Sequence, residues 1–398
     1  MVTLIGAGCG TDATLTKEAQ SALAQADIVI GARRLVEGLT LPSKARCVPA
    51  NTAIEALDYI TGTGKAQICV VYSGDSGFYS GAQTLLPLLE QKKISARVLP
   101  GISSIQAFAA ALGQPWQSWR LVSAHGKNVD PVAEVCRGNA VCFLTDSKAG
   151  SPARLCAALN KAGLGDLPVA VGENLTLPNQ RIITQPAKKI AVQRFAVLSL
   201  LLCPPAPVCP VPVLTDGCFL RGNVPMTKQE VRWVALAKLG ITENDCCWDI
   251  GGGTGSVAIA MAHQAKAVWS VEHKPEALAL MEENRTRLCA WKLHIVHGTA
   301  PEALDGLPKP DAVFVGGSGG HLAEILTAVH AANPAARVCV SAIALETLHA
   351  AQKTLNELGY EVEVCQLSVS RDKTVGELHL MQAQNPVFLI TGAVPCDG

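Results

Sequence analysis

The stretch Asp249-Ile250-Gly251-Gly252-Gly253-Thr254-Gly255-Ser256 decides the fold of the C-terminal half of this chain. It ends the aliphatic run Cys246–Ile250 and leads into a segment of helical composition, Val257 to Ala265. Glycines at alternate positions allow a sharp backbone turn and a close approach of a ligand to the main chain. A strand, a glycine turn and a helix in this order predict a parallel α/β domain with a ligand site at the turn.

The acidic residues around this turn bear on the class of ligand. Glu272 ends the next predicted strand, where a carboxylate can accept hydrogen bonds from ribose hydroxyls. A dinucleotide-binding turn has its third glycine at the sixth motif position, which here is Ser256. S-adenosylmethionine has no phosphate and carries a sulfonium and an ammonium group, so that Asp249 suits it electrostatically. The pattern favours S-adenosylmethionine, with NAD and a purely structural glycine turn as alternatives.

Aliphatic runs alternate with helix-like segments along the whole chain, which is typical of parallel α/β proteins. Before residue 203 the predicted strands are Val2–Ile5, Ile28–Ile30, Ile68–Tyr72, Arg97–Leu99, Arg120–Ser123, Ala140–Leu144, Val169–Gly172 and Ala196–Leu202. After residue 216 they are Cys246–Ile250, Ala267–Val271, His294–Val296, Ala312–Val315, Arg337–Ser341, Glu361–Gln366 and Val387–Ile390. Five prolines within Cys203–Asp216 exclude a helix or a central strand there. We therefore predict a first domain at residues 1–203, a proline-rich linker at 204–216 and a second domain at 217–398.

Composition excludes several functional classes. The 33 basic and 33 acidic residues cancel, and there is no basic stripe, which argues against a nucleic-acid partner. The 15 cysteines, from Cys9 to Cys396, form no CxxC pair and no cluster with histidine, so we expect neither disulfides nor a metal site. The longest apolar run, Phe195 to Cys203, is too short to span a membrane, and the first residues do not resemble a signal peptide. These features predict a cytoplasmic protein.

Motifs of the C-terminal half follow one family in order and spacing. RGNVPMTKQEVR (221–232), DIGGGTGSVAIA (249–260), VEHKPEA (271–277), GTAPEAL (298–304) and DAVFVGGSGG (311–320) resemble the precorrin-6B carbon-15 methylases, which also decarboxylate an acetate side chain. The resemblance extends from Phe219 to Gly392 and implies a Rossmann-like class I methyltransferase with a seven-stranded sheet. It implies S-adenosylmethionine contacts at Thr227, Gly251, Gly252, Gly253, Thr254, Gly255, Glu272 and Ala300. Gly252 replaces a usual cysteine and Glu272 a usual aspartate, and we expect little effect of either on cofactor binding.

Four motifs of the N-terminal half resemble the carbon-5 branch of the tetrapyrrole methylase family: GAGCG (6–10), YSGDSGFY (72–79), LPGISS (99–104) and VGENLT (171–176). The resemblance covers residues 2 to about 202 and implies two α/β subdomains with the cofactor folded between them. It implies S-adenosylmethionine contacts at Cys9, Ser73, Gly74, Asp75, Ser103 and Ser104, with others near Leu144 and Thr145. Cys9 and Ser76 replace usual prolines, and we expect both changes to loosen their turns. His125 lies at a plausible cleft position, and we assign it no acid–base role.

The two resemblances imply a tetrapyrrole substrate with many carboxylates, methylated at carbons 5 and 15 and decarboxylated at the ring C acetate, with one S-adenosylmethionine per domain. The candidate anchors for these carboxylates are Arg221, Lys228, Arg232, Arg371 and Lys373, the last two in a predicted loop before the final strand. No nucleophile, general acid or general base is predicted, because a sulfonium is an activated leaving group. Units of both kinds tend to self-associate, so that a homo-oligomer is implied.

Three alternatives stay open at this level. The substrate could contain cobalt, because no residue separates cobalt-precorrins from cobalt-free precorrins. Both glycine turns could hold NAD in a regulator without turnover. One active domain could be fused to a degenerate one, and the two proline replacements would make the N-terminal domain the degenerate one.

Overall fold

The computed structural model describes residues 1–64 and 66–394 of the chain, so that Lys65 and the segment containing Cys396 lie outside the description. It divides into two compact units. The first consists of Met1–Lys161 and Gly165–Ala206, and the second of Pro207–Gly398 and Ala162–Leu164.

The first unit begins with a parallel five-stranded sheet in the order β3-β2-β4-β1-β5. Its strands are β1 (Val2–Gly6), β2 (Ile28–Gly31), β3 (Arg46–Pro49), β4 (Ile68–Tyr72) and β5 (Ala96–Leu99). Its helices are α1 (Lys17–Ala24), α2 (Arg33–Gly38), α3 (Ala53–Thr61), α4 (Ala82–Gln91) and α5 (Ser104–Leu112). Central β1 and β4 are aliphatic and almost entirely buried, because apolar side chains pack on both faces of the sheet.

A second five-stranded sheet completes this unit, in the order β6-β7-β10-β8-β9. Its strands are β6 (Arg120–Ser123), β7 (Val141–Leu144), β8 (Pro168–Glu173), β9 (Arg181–Pro186) and β10 (Ser199–Cys203), and its helices are α6 (Pro131–Val135), α7 (Pro152–Leu159) and α8 (Ala187–Ile190). The sheet is mixed, since β10 runs antiparallel to both of its neighbours. Two sheets with their own helices confirm the predicted pair of α/β subdomains.

The second unit contains a seven-stranded sheet in the order β13-β12-β11-β14-β15-β19-β16. Its strands are β11 (Cys246–Ile250), β12 (Ala267–Glu272), β13 (Leu293–His297), β14 (Ala312–Val315), β15 (Arg337–Ala342), β16 (Glu361–Leu367) and β19 (Val387–Ala393). Its helices are α9 (Gln229–Leu239), α10 (Ser256–Ala262), α11 (Pro275–Arg287), α12 (Leu322–Ala332) and α13 (Leu345–Glu357). Apolar clusters cover both faces of this sheet, and β19 is antiparallel to its neighbours. The predicted seven-stranded Rossmann-like domain is thereby confirmed.

Four strands were not predicted from the sequence. β3 and β9 are edge strands, whose half-exposed residues and terminal prolines give no aliphatic run. The other two, β17 (Ser370–Val375) and β18 (Leu378–Ala383), form a separate two-stranded antiparallel ribbon with little burial. The prediction of a loop around Arg371 and Lys373 was wrong, because both residues lie on β17, where backbone pairing with β18 orders a polar segment.

None of the helices within residues 1–64 and 66–394 combines the length and apolarity needed to cross a bilayer. Over the same residues there is no group of three or more His, Cys, Asp or Glu side chains arranged to hold a metal ion.

Candidate active sites

The glycine turn lies at the carboxyl end of β11, the strand between β12 and β14 in the middle of the seven-stranded sheet. Gly251, Gly253 and Gly255 have φ angles of +77°, +54° and +79°, a region that other residues adopt only under strain. A Cβ atom on Gly251 would lie 2.6 Å from the carbonyl oxygen and 2.7 Å from the nitrogen of Gly317, which follows β14. The turn is therefore packed backbone against backbone with the next loop, and glycine is required at this point.

Asp249 lies beneath the turn and is 1% exposed. Its Oδ2 atom accepts a hydrogen bond of 3.1 Å from the hydroxyl of Ser270 on β12. A Cβ atom on Gly252 would lie 2.1 Å from that hydroxyl oxygen and 2.6 Å from Met281 Cε, so that the glycine makes room for the bonded pair. Burial raises the pKa of Asp249 to about 7, against the lowering effect of its hydrogen bonds. The Asp249 carboxyl group beneath the glycine turn is therefore one that a nearby cation would help to ionise.

We predict that Asp249→Asn stabilises the ligand-free second unit. Because the folded pKa is about 7 and the ordinary value 3.8, the folded state binds more protons between these limits, and stability falls as pH rises from about 4 to about 7. At 1.36 kcal/mol per pH unit the loss is of the order of 4 kcal/mol, which a neutral asparagine avoids. Calorimetric melting between pH 4 and pH 8 should give a flatter profile and a higher melting temperature for the variant at pH 8.

The control for this prediction is Asp305→Asn, which removes the same charge from an exposed position of the same unit. Equal pH profiles for Asp249→Asn and the unsubstituted chain would contradict the assignment of a proton to Asp249 near neutral pH.

Glu272 ends β12 beside the glycine turn and is 7% exposed. Its Oε2 atom accepts from the backbone N–H of Gly253 at 2.9 Å, and its Oε1 atom from those of His273 and Lys274 at 2.8 and 2.9 Å. Burial raises the pKa of this carboxyl, but the three backbone hydrogen bonds and the His273 charge outweigh burial, and the pKa is lowered. The carboxylate is therefore ionised, fixed in orientation, and left with lone pairs for a diol.

These groups face a cavity of about 590 Å³ in the second unit, within the range of roughly 300–1,000 Å³ typical of small-ligand sites. Of the residues predicted to contact S-adenosylmethionine here, the structure places seven in its wall: Thr227, Gly251, Gly252, Gly253, Thr254, Glu272 and Ala300. Gly255 lies outside the wall, where its missing side chain leaves space for Met281 Cγ, 2.6 Å from an added Cβ. The carboxylate, the positive-φ glycines and the cavity volume fit an adenosyl ligand.

A further part of the cavity wall was not assigned by the sequence analysis. It consists of residues at or after the ends of β14, β15 and β16 or beside the β17–β18 ribbon: Gly316, Gly317, Ser318, Gly319, Ser341, Ile343, Leu367, Val369, Gln384 and Asn385. The motif at 311–320 was a usable signal for the first four, whereas the others lie far apart in sequence. Apolar and small residues dominate this part of the wall.

The five candidate carboxylate anchors occupy different environments. Lys228 lines the cavity, whereas Arg221 and Lys373 are exposed outside its wall. Arg371 is ion-paired with Glu230 and, at 3.0 Å, with Asp216. The structure therefore brings only Lys228 of this set to the cavity.

Arg232 is fully buried and does not face the cavity. Its Nη1 atom donates to the carbonyl of Thr227 at 2.9 Å, its Nη2 atom donates to that of Leu214 at 2.7 Å, and its guanidinium lies over the Phe219 ring. Both terminal nitrogens of Arg232 are bonded to backbone carbonyls, so that its role as a substrate anchor stays a prediction that this geometry does not support. Arg232 instead holds the backbone of Thr227, a residue of the cavity wall.

In the first unit, the predicted contact residues gather where β4, β1 and β5 end side by side. Gly8 and Gly74 exchange backbone hydrogen bonds of 2.6 and 3.1 Å, which join the loops after β1 and β4. Asp75 joins the third loop, since its Oδ2 atom accepts from the N–H of Gly101 at 3.0 Å and its Oδ1 atom from that of Gly77 at 2.8 Å. The Asp75 carboxylate therefore holds the loop after β4 to the loop after β5.

The hydroxyl and thiol groups of the cluster have individual partners. Ser103 caps α5 by accepting from the N–H of Ile105, and Ser104 begins that helix. Cys9 donates its backbone N–H to Thr14, and burial raises the pKa of its thiol. Ser76 donates its hydroxyl to the carbonyl of Leu99 at 2.9 Å and so bonds the turn to β5, and the expected loosening at this replaced proline stays a prediction.

His125 and Thr145 belong to the second sheet of the first unit. The His125 ring is exposed, with Nδ1 3.3 Å from the carbonyl oxygen of Thr145, and the Thr145 hydroxyl is buried against Ser199. These contacts involve Nδ1 of His125 and the hydroxyl of Thr145, and the absence of an acid–base role for His125 stays a prediction.

The second unit combines four features of S-adenosylmethionine-dependent methyltransferases. These are the order of the seven strands, the antiparallel β19 between β15 and β16, the glycine turn after β11 and the Glu272 carboxylate at the end of β12. A model of the precorrin methyltransferase domain matches residues 219–392, and one of the tetrapyrrole (corrin/porphyrin) methylases matches residues 1–191. A precorrin-6Y C(5,15)-methyltransferase [decarboxylating] from Sinorhizobium sp. is 31% identical over 354 residues, 86% of this chain and 84% of that protein. The chain belongs to the family of decarboxylating precorrin-6Y C(5,15)-methyltransferases.

Other relatives match a little under half of the chain. A cobalt-precorrin-6B C(15)-methyltransferase (decarboxylating) from Salmonella typhimurium is 41% identical over 182 residues, which are 44% of this chain and 94% of that protein. The crystal structure of a precorrin-6Y C5,15-methyltransferase from Geobacter metallireducens is 36% identical, covers 46% of this chain and 99% of that chain, and superimposes with a TM-score of 0.44.

Proposed function

We propose that this chain methylates precorrin-6Y at carbons 5 and 15 and removes the carboxyl group of the ring C acetate, to give precorrin-8 in corrin-ring biosynthesis. The observation that carries the proposal is family membership over 86% of the chain, which includes both halves. We assign methylation of carbon 5 to residues 1–203, and methylation of carbon 15 with decarboxylation to residues 217–398, joined by a linker at 204–216. Each domain would bind its own S-adenosylmethionine.

In the C-terminal domain the residues of the cavity would hold and orient the cofactor. Glu272 would accept the ribose hydroxyls, with its orientation set by three backbone hydrogen bonds. Gly251 and Gly253 would let the ligand rest on the main chain, and Asp249 would supply negative charge beneath it. When bound, S-adenosylmethionine supplies a methyl group on a positively charged sulfur that is an activated leaving group.

The part of the cavity wall formed by Gly316–Gly319 and the residues beside the β17–β18 ribbon would position the tetrapyrrole so that the carbon to be methylated faces the cofactor. Alignment of two reactants in this way contributes up to roughly 7–11 kcal/mol to a rate, which is why a site of this kind can act without a general base. Lys228, at the cavity wall, would bind a substrate carboxylate. In the decarboxylation, the electrons released from the acetate would enter the conjugated macrocycle, so that the substrate itself is the electron sink.

In the N-terminal domain, Cys9, Ser73, Gly74, Asp75, Ser103 and Ser104 would surround the second cofactor. The support is their convergence at one sheet edge, where hydrogen bonds between the loops after β1, β4 and β5 hold the backbone in place. Asp75 would act through the loops it joins, because both of its carboxylate oxygens accept backbone N–H groups.

The test uses the full chain with S-adenosylmethionine and precorrin-6Y, followed by mass spectrometry of the product and measurement of carbon dioxide. Two added methyl groups and one carbon dioxide per substrate are expected, and isothermal titration should detect two sites for S-adenosylhomocysteine and none for NAD. A single methyl group with no carbon dioxide, or binding of NAD, would defeat the bifunctional proposal.

A second candidate is the same pair of steps on the cobalt-containing substrates. The Salmonella typhimurium relative, 41% identical over 182 residues, is named for a cobalt-precorrin. The same assay with metal-free and with cobalt-loaded substrate separates the two, since only the true substrate should be methylated at both carbons.

We also propose a cytoplasmic location. Apart from Cys136, the cysteines in the described part of the chain are free thiols, which supports a reducing compartment. The homo-oligomer implied by the sequence stays a prediction, for which light scattering of the purified chain is the direct measurement.

A further inference from the structure

We propose that Arg34 binds a carboxylate of the ligands at the N-terminal site, an assignment that rests on the proposed function of this domain. Arg34 was not among the predicted site residues. It follows β2 and belongs to the first turn of α2, so that the strand order places it at the same sheet edge as the loops after β1 and β4.

The guanidinium of Arg34 lies over the residues that would hold the cofactor. Its Nη2 atom is 3.4 Å from the hydroxyl oxygen of Ser73, to which it donates a hydrogen bond. A Cβ atom on Gly10 would lie 3.2 Å from Arg34 Nη1, so the guanidinium also covers the end of the glycine loop after β1. The charge of Arg34 reaches Cys9 as well, where it lowers the pKa of the thiol against the larger, raising effect of burial.

The charge of Arg34 is not neutralised within the described part of the chain, where no carboxylate forms an ion pair with it. Two acidic side chains at this sheet edge, Asp75 and Asp12, are occupied by other groups. Asp75 accepts from the N–H groups of Gly77 and Gly101, and Asp12 accepts from the N–H and the hydroxyl of Thr40. One weak hydrogen bond to Ser73 uses one of five guanidinium N–H donors and leaves the others for a ligand.

The neighbouring Arg33 shows the opposite arrangement. Its Nε atom is 3.3 Å from Glu37 Oε1, one helical turn further along α2, so that it is an ordinary surface ion pair. The two adjacent arginines therefore differ. Arg33 is paired with an acidic residue on the surface, whereas Arg34 reaches the ligand site without an acidic partner in the described part of the chain. A guanidinium presents paired donors that match a carboxylate, which is the group that a propionate or acetate arm of a tetrapyrrole carries.

Two sources of carboxylate could reach Arg34, the substrate arms and the amino-acid end of S-adenosylmethionine, and binding measurements separate them. Arg34→Ala is introduced into the full chain. If Arg34 binds a substrate carboxylate, the KM for the tetrapyrrole in carbon-5 methylation should rise by at least about tenfold, while the affinity for S-adenosylhomocysteine stays unchanged. If Arg34 binds the carboxylate of the cofactor instead, the affinity for S-adenosylhomocysteine should fall by a comparable factor at one of the two sites. Methylation of carbon 15 in the same chain should be unchanged and controls for folding.

Arg33→Ala is the matched control and should leave both quantities as in the unsubstituted chain. Equal behaviour of Arg33→Ala and Arg34→Ala, or unchanged KM and unchanged affinity for Arg34→Ala, would overturn the assignment of Arg34. Failure of the unsubstituted chain to methylate carbon 5 would instead refute the proposed function. Titration with S-adenosylhomocysteine needs no turnover, so that the two failures can be told apart.

Discussion

Replacing Gly251 by alanine should abolish binding of S-adenosylhomocysteine in the C-terminal unit and reduce the stoichiometry from two molecules per chain to one. The φ angle of +77° by itself costs an L-residue roughly 1–2 kcal/mol. The added Cβ would also lie 2.6–2.8 Å from three backbone atoms of Gly317, which cannot rotate away as a side chain could. The turn must move, and the affinity at this site should fall by at least about 100-fold, equivalent to 2.7 kcal/mol or more.

The control for this variant is Gly217→Ala, in the same unit, where an added Cβ meets no atom within 4 Å. It should bind two molecules with unchanged affinity. Carbon-15 methylation and carbon dioxide release should disappear in Gly251→Ala, while carbon-5 methylation continues. If Gly251→Ala retained two sites of normal affinity, the cavity beside β11 would not be the cofactor site.

Gly101→Ala should have the reciprocal effect, with loss of the N-terminal cofactor site and of carbon-5 methylation. An added Cβ would lie 2.3 Å from the carbonyl oxygen of Gly6 and 2.4 Å from that of Gly74. These atoms belong to the last residue of β1 and to the loop after β4, so that alanine would force apart the three loops that Asp75 and the Gly8–Gly74 hydrogen bonds hold together. Titration should again detect one site, and mass spectrometry should detect no methyl group at carbon 5.

Gly64→Ala, where an added Cβ meets nothing within 4 Å, is the control in this unit. Melting of the first unit in Gly101→Ala separates a lost site from a lost fold, because a local displacement of loops should leave a cooperative transition. Two intact sites in the Gly101→Ala chain would be incompatible with a cofactor held by these loops, and would favour a degenerate N-terminal domain with a different second site.

Much of the fold could be predicted because buried parallel strands are aliphatic runs in any sequence. All seven strands of the C-terminal sheet were predicted, as were β1, β2, β4 and β5. β3, β9 and the β17–β18 ribbon were not, because an edge strand or an exposed ribbon is ordered by backbone pairing that leaves no hydrophobic pattern. The sequence could therefore predict the cores of the sheets better than their edges.

The cationic residues show where sequence reasoning about the sites ends. Arg221, Lys228 and Arg232 belong to one motif, yet they are respectively exposed, in the cavity wall and fully buried. Arg34 carried no signal beside Arg33, although only Arg34 reaches Ser73. The sequence does not show where a charged side chain points. The position of the helix or loop that carries it decides whether a ligand can reach it.

The order of motifs by itself determined the two α/β halves, the glycine turns and the position of Glu272, because close backbone packing requires glycine and a buried strand requires apolar residues. Only the tertiary structure decided which loops meet: Gly251 with Gly317, Asp75 with Gly101, and Arg34 with Ser73. The physical reason is that these partners are 26 to 66 residues apart in the chain and become neighbours only when parallel strands bring their carboxyl ends to one edge.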